Sequence, residues 1–385
     1  MKIGIIMVLP IEYNTSSMLR CKEIILGLIE LGHKITCFCP SPNKDSIYYS
    51  NDNGSLSKIK IERFKRLPRD LKSKDTNGKK VMVSTLKRFC LSVFRKIDVF
   101  GSTLLYIPER KWISDYFSEN SFDILLTFSD PIPAHMIGKY VKKKNPKIRY
   151  IQQWGDPLAN DTISKIAQPV WLRRIVEKSL LKPADRVCYV SPFTYEEQKK
   201  TFPDQSAKMF FLPTPSLGED ESGTRKGRLC IGYFGSYNSV ARNIMPLYQA
   251  AIQNVDVNFL IVGDSDIILE STKNISIIQR VSHEKLKNYM QKVSVIVCLM
   301  NKKGNQIPGK VYHDAASTKD ILFIKDGEYG DRIQSFFEKY NHYTFVDNKK
   351  DEINKAIKKY IECGVPYRKP VDEFRAINIA KKIIE

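Results

Sequence analysis

Short, nearly continuous apolar runs alternate along this chain with longer stretches in which apolar residues recur every three or four positions. The first kind reads as buried strand and the second as amphipathic helix. Lys2–Leu9 is the first predicted strand. A polar loop, Pro10–Ser17, follows it, then a helix over Met18–Leu31 that Gly32-His33 ends, then a strand over Lys34–Phe38. Further strands are predicted over Phe122–Phe128, Arg149–Gln153, Asp185–Ser191 and Met209–Pro213. A helix containing His135 and helices over Arg173–Leu181 and Pro192–Phe202 lie between them. Leu217–Gly227 is polar, glycine-bearing and poor in apolar residues, as a linker is. The alternation then restarts. Strands are predicted over Leu229–Phe234, Val257–Val262, Ile275–Val281, Val293–Leu299 and Asp320–Ile324, with a helix that follows Arg242-Asn243 and runs to about Gln253 and another over His283–Lys292. This order predicts an α/β protein of two doubly wound, Rossmann-like domains with parallel sheets. The expected limits are 1–216 and 228–370, with a linker at 217–227 and a final helical segment over 371–385.

The 385 residues suit two domains of ordinary size, each able to bury a core. A hydrophobic content of 42% with 27% charge is globular. None of the eight cysteines forms a C-x-x-C pair, so buried free thiols in a reducing compartment are expected. The N-terminal apolar stretch is short and reads as a strand, not a signal peptide. No apolar run is long enough to span a membrane, and a cytoplasmic location is expected. The net charge of +20 calls for an anionic partner. It is concentrated in residues 58–96, with fourteen Lys or Arg against three acids. Within the wider stretch 58–100, Val83, Leu86, Phe89, Val93, Phe94 and Ile97 recur at helical spacing among Lys87, Arg88, Arg95 and Lys96. Two readings stand here: a basic amphipathic helix on an anionic membrane, or a surface helix packed on its domain. No nucleic-acid-binding motif accompanies the charge.

The richest chemistry lies in the stretch NQIPGKVYHDAASTKDIL, Asn305–Leu322. It joins two predicted strands through a Pro-Gly-Lys turn and a small-residue helix pattern (Val311, Tyr312, Ala315, Ala316). The turn therefore falls at the C-terminal edge of a parallel sheet, where open α/β sheets bind ligands. Gly309 permits close backbone approach, Lys310 supplies a point charge, and backbone N–H groups at the helix start suit a diphosphate. Gly235-Ser236 and Arg242 follow another strand of the same domain. In the first domain, Asn14, Thr15 and Ser16 follow the first strand, and any of them can cap the next helix. His135 follows the strand over Phe122–Phe128, and Trp154-Gly155-Asp156-Pro157 follows that over Arg149–Gln153. Asp264-Ser265-Asp266 reads D-x-D, but it follows a strand end and is expected to be a turn. No other cluster has metal-ligand spacing, and no metal or other cofactor is expected.

The PGK-V-Y-x-x-A-A-x-x-K-x-I-L pattern resembles the donor-site segment of GT-B glycosyltransferases of the family-4 type. The resemblance extends to the Trp154–Pro157 segment, to "D-x-hydrophobic-x-x-V-S … P-x-P" at the end of the first domain, and to the terminal pattern Glu373-Phe374…Ile379-Ala380…Ile383. It is weakest over residues 41–118. The paired glutamates of that family fall on Asn305 and His313, and neither is Glu here. The resemblance implies a retaining hexosyltransferase of surface polysaccharide biosynthesis, making lipopolysaccharide or capsule. Such an enzyme moves a sugar from a nucleotide-sugar to a saccharide or lipid-linked acceptor at the cytoplasmic face of a membrane. It implies that Gly235, Ser236, Arg242, Gly309 and Lys310 hold the diphosphate, and that His313, Asp314 and Asn305 contact the ribose. Asp156 and His135 become the catalytic candidates, with Asn14, Thr15 and Ser16 on the acceptor side, and the final helix is expected to cross back to the first domain. Two rivals remain: a nucleotide-sugar epimerase on the same fold, and a non-catalytic glycosyltransferase-like binding subunit.

Overall fold

The computed structural model describes residues 1–50, 57–64, 107–129, 132–159, 168–218, 228–304 and 306–385. The chain divides into two compact units, Met1–Pro213 with Ala376–Glu385, and Thr214–Arg375.

Unit 1 is built on a parallel sheet of seven strands: β1 (Lys2–Ile6), β2 (Lys34–Pro40), β3 (Lys60–Phe64), β4 (Ile124–Phe128), β5 (Arg149–Trp154), β6 (Arg186–Tyr189) and β7 (Met209–Phe211). Their spatial order is β3-β2-β1-β4-β5-β6-β7. The central strands, KIGII and ILLTF, are apolar on both faces because helices cover both. Ile3 stands beside Ile35 on one side and Ile124 on the other. On one face, α1 (Ser16–Glu30) packs Ile24, Ile25 and Leu28 over Ile3, Ile5 and Leu126. The opposite face carries α2 (Ile107–Asn120), α3 (Pro133–Lys144), α4 (Val170–Leu181) and α5 (Pro192–Thr201). There Phe117, Ile137 and Leu180 cover Ile6, Leu125 and Tyr150.

Two features of unit 1 were not anticipated. Strand β3, KIERF, has three charged residues among its five at the sheet edge, with Glu62 and Arg63 adjacent, and helix α2 has mixed polarity; neither gave a clear period. The basic stretch that follows β3 lies outside the described residues over 65–106.

The helix that completes unit 1 comes from far along the chain. Helix α11 (Ala376–Ile384) buries Ile379, Ala380 and Ile383 in the same core as α1. Gly27 permits this approach, since a Cβ there would collide with the Ala376 carbonyl oxygen. Arg149 donates to the carbonyl oxygens of Ile384 (2.6 Å) and Glu385 (2.7 Å). The segment expected as one helical stretch over 371–385 is broken. Phe374 stays in unit 2, fully buried against Tyr312, and the helix starts only at Ala376.

Unit 2 holds six parallel strands: β8 (Cys230–Phe234), β9 (Asn258–Val262), β10 (Ile275–Ile278), β11 (Val295–Leu299), β12 (Asp320–Lys325) and β13 (Tyr343–Asp347), in the order β10-β9-β8-β11-β12-β13. Its helices are α6 (Met245–Gln253), α7 (His283–Met290), α8 (Gly309–His313), α9 (Gly330–Phe337) and α10 (Lys350–Cys363). An aromatic cluster of Tyr312, Phe323, Phe337, Tyr343 and Phe374 fills one side. Asp320, fully buried, accepts from Arg368 Nε (2.7 Å) and the Tyr360 hydroxyl. Among the described residues, no helix is long and apolar enough to cross a membrane. Seven cysteines among the described residues are free, and five of them are buried.

Candidate functional site

Each sheet has a point where the strand order reverses, and the loops leaving the C-terminal ends there are where such folds bind ligands. In unit 2 that point lies between β8 and β11. The loop leaving β8 begins with Gly235, whose N–H donates to Val262 O (2.9 Å). Gly263, at the end of β9, is required there because any Cβ would collide with the Gly235 carbonyl oxygen. Tyr233 OH donates to Ser236 O (2.8 Å) and so fixes the turn.

Three cations converge on this edge. Arg242 donates from Nε to Asn301 Oδ1 (2.8 Å), just beyond β11, and from Nη1 to Ser236 O (3.3 Å). Lys310 lies in α8, and its Cε would be 3.2 Å from a Cβ placed on Gly235. Burial lowers the Lys310 pKa; Asp314 and Cys298 oppose that, while the positive charges of Arg242 and Arg280 add to it. Arg280, two residues past β10, pairs with Asp264 at 3.3 Å. Gly235, Ser236, Arg242 and Lys310 are thus brought together by neighbouring strand ends, with Gly309 adjoining Lys310. The patch is cationic and half-buried, and glycine at Gly235 leaves room beside the lysine.

The expected helix after the Pro-Gly-Lys turn is shorter than the residue pattern suggested. Helix α8 spans only Gly309–His313 and tightens into a 3-10 turn over Asp314–Ala316. A single turn carries little macrodipole, so charge at this edge comes from side chains. His313 ends α8 and Asp314 begins the 3-10 turn, and both are largely buried. Asn305 lies outside the described residues. The D-x-D carboxylates are engaged separately. Asp264 binds Arg280, whereas Asp266 accepts from Ser239 N (2.9 Å) and Oγ (2.8 Å).

In unit 1 the order reverses between β1 and β4. Thr15 is the N-cap of α1, accepting from Met18 N (3.3 Å); Asn14 Oδ1 accepts from Lys22 Nζ (2.7 Å), and Ser16 is exposed. Beneath this loop Glu12 is buried in a bidentate pair with Arg63. The loop leaving β5 is held from several sides. Ser129 Oγ accepts from Gly155 N (2.8 Å), Arg173 donates to Leu158 O (3.1 Å), and Glu177 accepts from Ala159 N (2.6 Å). Asp156 stands exposed within this otherwise buried loop.

His135 corrects the expectation of a substrate-facing group. It is fully buried, its Nδ1 is 2.7 Å from Thr127 Oγ1, and its ring lies 4.4 Å from that of Trp154. Burial pushes its pKa down to about 3, so it is neutral at ordinary pH. It sits beside the apolar stripe Ala134, Ile137 and Val141 of α3, and packing claims it. Asp156 and His135 therefore differ in kind: one is presented to solvent and the other supports the loop from below through Trp154.

Arg280, Asn301, Arg173 and Glu177 were not singled out from the sequence. Arg280 and Asn301 each follow a strand end, which is the signal that identifies them. Arg173 and Glu177 gave none, because their role depends on a loop that lies earlier in the chain.

No family model and no curated protein matches the sequence. Solved structures do match over the whole chain. The catalytic domain of starch synthase IV from Arabidopsis thaliana, bound to ADP and acarbose, superposes with a TM-score of 0.61 at 10% identity, covering 100% of this chain and 95% of that one. A lipopolysaccharide outer core galactosyltransferase, WaaB, gives 0.55 at 12% identity, covering 100% and 98%. The UDP-GlcNAc 2-epimerase from Neisseria meningitidis, bound to UDP-GlcNAc, gives 0.54 at 11% identity, covering 100% and 98%. The fold shared with these proteins is GT-B: two Rossmann-like α/β domains with a C-terminal helix returned to the first.

Proposed function

We propose that this protein is a retaining glycosyltransferase that binds the diphosphate of a nucleotide-sugar at the β8–β11 edge of unit 2. The observation that carries this reading is the convergence of Lys310, Arg242 and Arg280 around the Gly235-Ser236 turn. A half-buried lysine whose charge is disfavoured first by burial and further by two neighbouring guanidinium groups calls for an anion, and a diphosphate supplies one. Lys310 meets it as a point charge, Arg242 is held in place by Asn301, and the Gly235-Ser236 backbone lines the approach. His313, Asp314 and Asn305 are assigned to the ribose side. In unit 1, Asp156 is presented by a braced loop and is the group assigned to the transferred sugar or acceptor. Asn14 and Ser16 are assigned to the acceptor, a saccharide or lipid-linked saccharide of surface polysaccharide synthesis. Catalysis in such a site is mainly positioning, together with stabilisation of the departing diphosphate.

Epimerisation on the same fold is the second reading, since an epimerase is among the structural neighbours. It needs a set of acid and base groups at the reacting carbon. The burial and low pKa of His135 remove one candidate for that set.

The test is Lys310→Ala. A charge-assisted phosphate contact is worth roughly 1.5–3 kcal/mol, so nucleoside-diphosphate affinity and transfer efficiency are expected to fall by about one to two decades with the fold intact. Lys310→Arg restores them only in part. Wild-type affinity in Lys310→Ala would refute the phosphate site. Epimerised donor without transfer, from a panel of nucleotide-sugars, would select the second reading.

A further inference from the structure

Helix α4 begins one turn earlier than the apolar period indicated, and that extra turn is exposed. Trp171 is 63% exposed, Ile175 59% and Val170 43%. Large apolar side chains clustered on one face of a helix in this way mark an interaction surface. Trp171 and Ile175 are four apart and share one stripe of the helix. Arg174, Lys178 and Lys182 repeat at the same interval and form an adjoining stripe, all three exposed. The helix contains one carboxylate, Glu177, and it is fully buried on the opposite face. Lys178 pairs with Asp204 at 2.9 Å, but both groups are about half exposed, so the pair is weak and the lysine remains available.

We infer that this surface of α4 docks on an anionic lipid bilayer, with Trp171, Ile175 and Val170 entering the interface and Arg174, Lys178 and Lys182 meeting the headgroups. The charge pattern selects this partner. A lipid surface rewards an indole beside basic residues, because the ring settles at headgroup depth while lysine and arginine remain with the phosphates. The chain as a whole carries a net charge of +20, which favours approach to such a surface. The buried face of the same helix holds Leu158 and Ala159 through Arg173 and Glu177. The docking surface thus adjoins the loop that presents Asp156, and an acceptor embedded in lipid would arrive there. The bilayer contact itself does not depend on the glycosyltransferase reading and is tested without any sugar.

Full-length protein is sedimented with phosphatidylcholine vesicles, with and without phosphatidylglycerol. Parent protein is expected to bind the anionic vesicles and to show a blue shift in tryptophan emission. Trp154 is fully buried, so it contributes little to a shift. Trp171→Phe keeps the apolar contact and is expected to bind while losing most of the shift. Trp171→Ser with Ile175→Ser is expected to weaken binding roughly tenfold or more with an unchanged melting curve, since both side chains are exposed. Arg174→Glu with Lys182→Glu is expected to weaken it roughly fivefold per residue or more and to remove the dependence on anionic lipid. Equal sedimentation of parent and the serine variant would overturn the proposal, as would a full blue shift in Trp171→Phe. A parent dimer that the serine variant converts to monomer, without vesicle binding, would assign the surface to a second copy instead.

Discussion

Glu177 offers a test of how unit 1 braces its ligand-edge loop. Its carboxyl is fully buried, accepts from Ala159 N at 2.6 Å, and has its pKa raised to about 7. Burial is the main cause, with Glu197 adding to it; the backbone N–H groups of Ala159 and Leu158 and the charge of Arg173 hold it back. An acid with a raised folded-state pKa contributes stability below its unfolded pKa and loses it as pH rises through the folded value. The shift from 4.5 to about 7 corresponds to about 3 kcal/mol lost between those limits. Glu177→Gln supplies a neutral group of the same shape that still accepts from Ala159 N. The variant is expected to match the parent near about pH 5 and to exceed it by roughly 2–3 kcal/mol near about pH 8.5. Glu177→Ala removes the acceptor and is expected to be less stable than Glu177→Gln at both pH values, by about 1–3 kcal/mol for the orphaned N–H alone. The readout is urea unfolding followed by tryptophan emission. All three tryptophans, Trp112, Trp154 and Trp171, lie in unit 1, so the signal reports that unit alone. A stability difference between Glu177→Gln and parent that is the same at both pH values would refute the account.

Two further outcomes follow from packing. Gly27→Val places a side chain against the Ala376 carbonyl and is expected to displace α11; faster amide exchange in α1 and α11 measures this, and parental protection would contradict it. Asp320→Ala leaves the Arg368 guanidinium without its buried partner and is expected to cost about 3–5 kcal/mol, read as a lower unfolding midpoint for unit 2 by circular dichroism.

Much of the architecture was legible because parallel strands buried on both faces are nearly continuous in apolar residues, as KIGII and VIVCL are. Strand β3 was not, because KIERF is an edge strand in which the adjacent charges Glu62 and Arg63 break the alternation. The position of the turn at Pro308–Lys310 was legible, since it follows a predicted strand and so falls at the sheet's C-terminal edge. Its helix was overestimated, because small residues also suit a tight 3-10 turn packed under aromatics. Arg280 joins the site only when β10, β9 and β8 are laid side by side, a non-local fact. His135 shows the converse. Its residue type suggested chemistry, but the adjacent stripe on α3 carried it into the core.

The return of α11 to unit 1 constrains how the chain is made. The first two hundred or so residues emerge during synthesis with the groove on α1 still open, and Ile24, Ile25 and Leu28 lack part of their cover. That cover arrives only after all of unit 2 has been translated, since Ala376 follows it in the chain. Unit 2 has no such dependence and is free to fold first, reversing the usual N-terminal-first order of domain folding. A nascent chain interrupted anywhere within unit 2 keeps an apolar seam on α1, a surface that chaperones and proteases recognise. The core of unit 1 thereby waits on synthesis reaching Ile383.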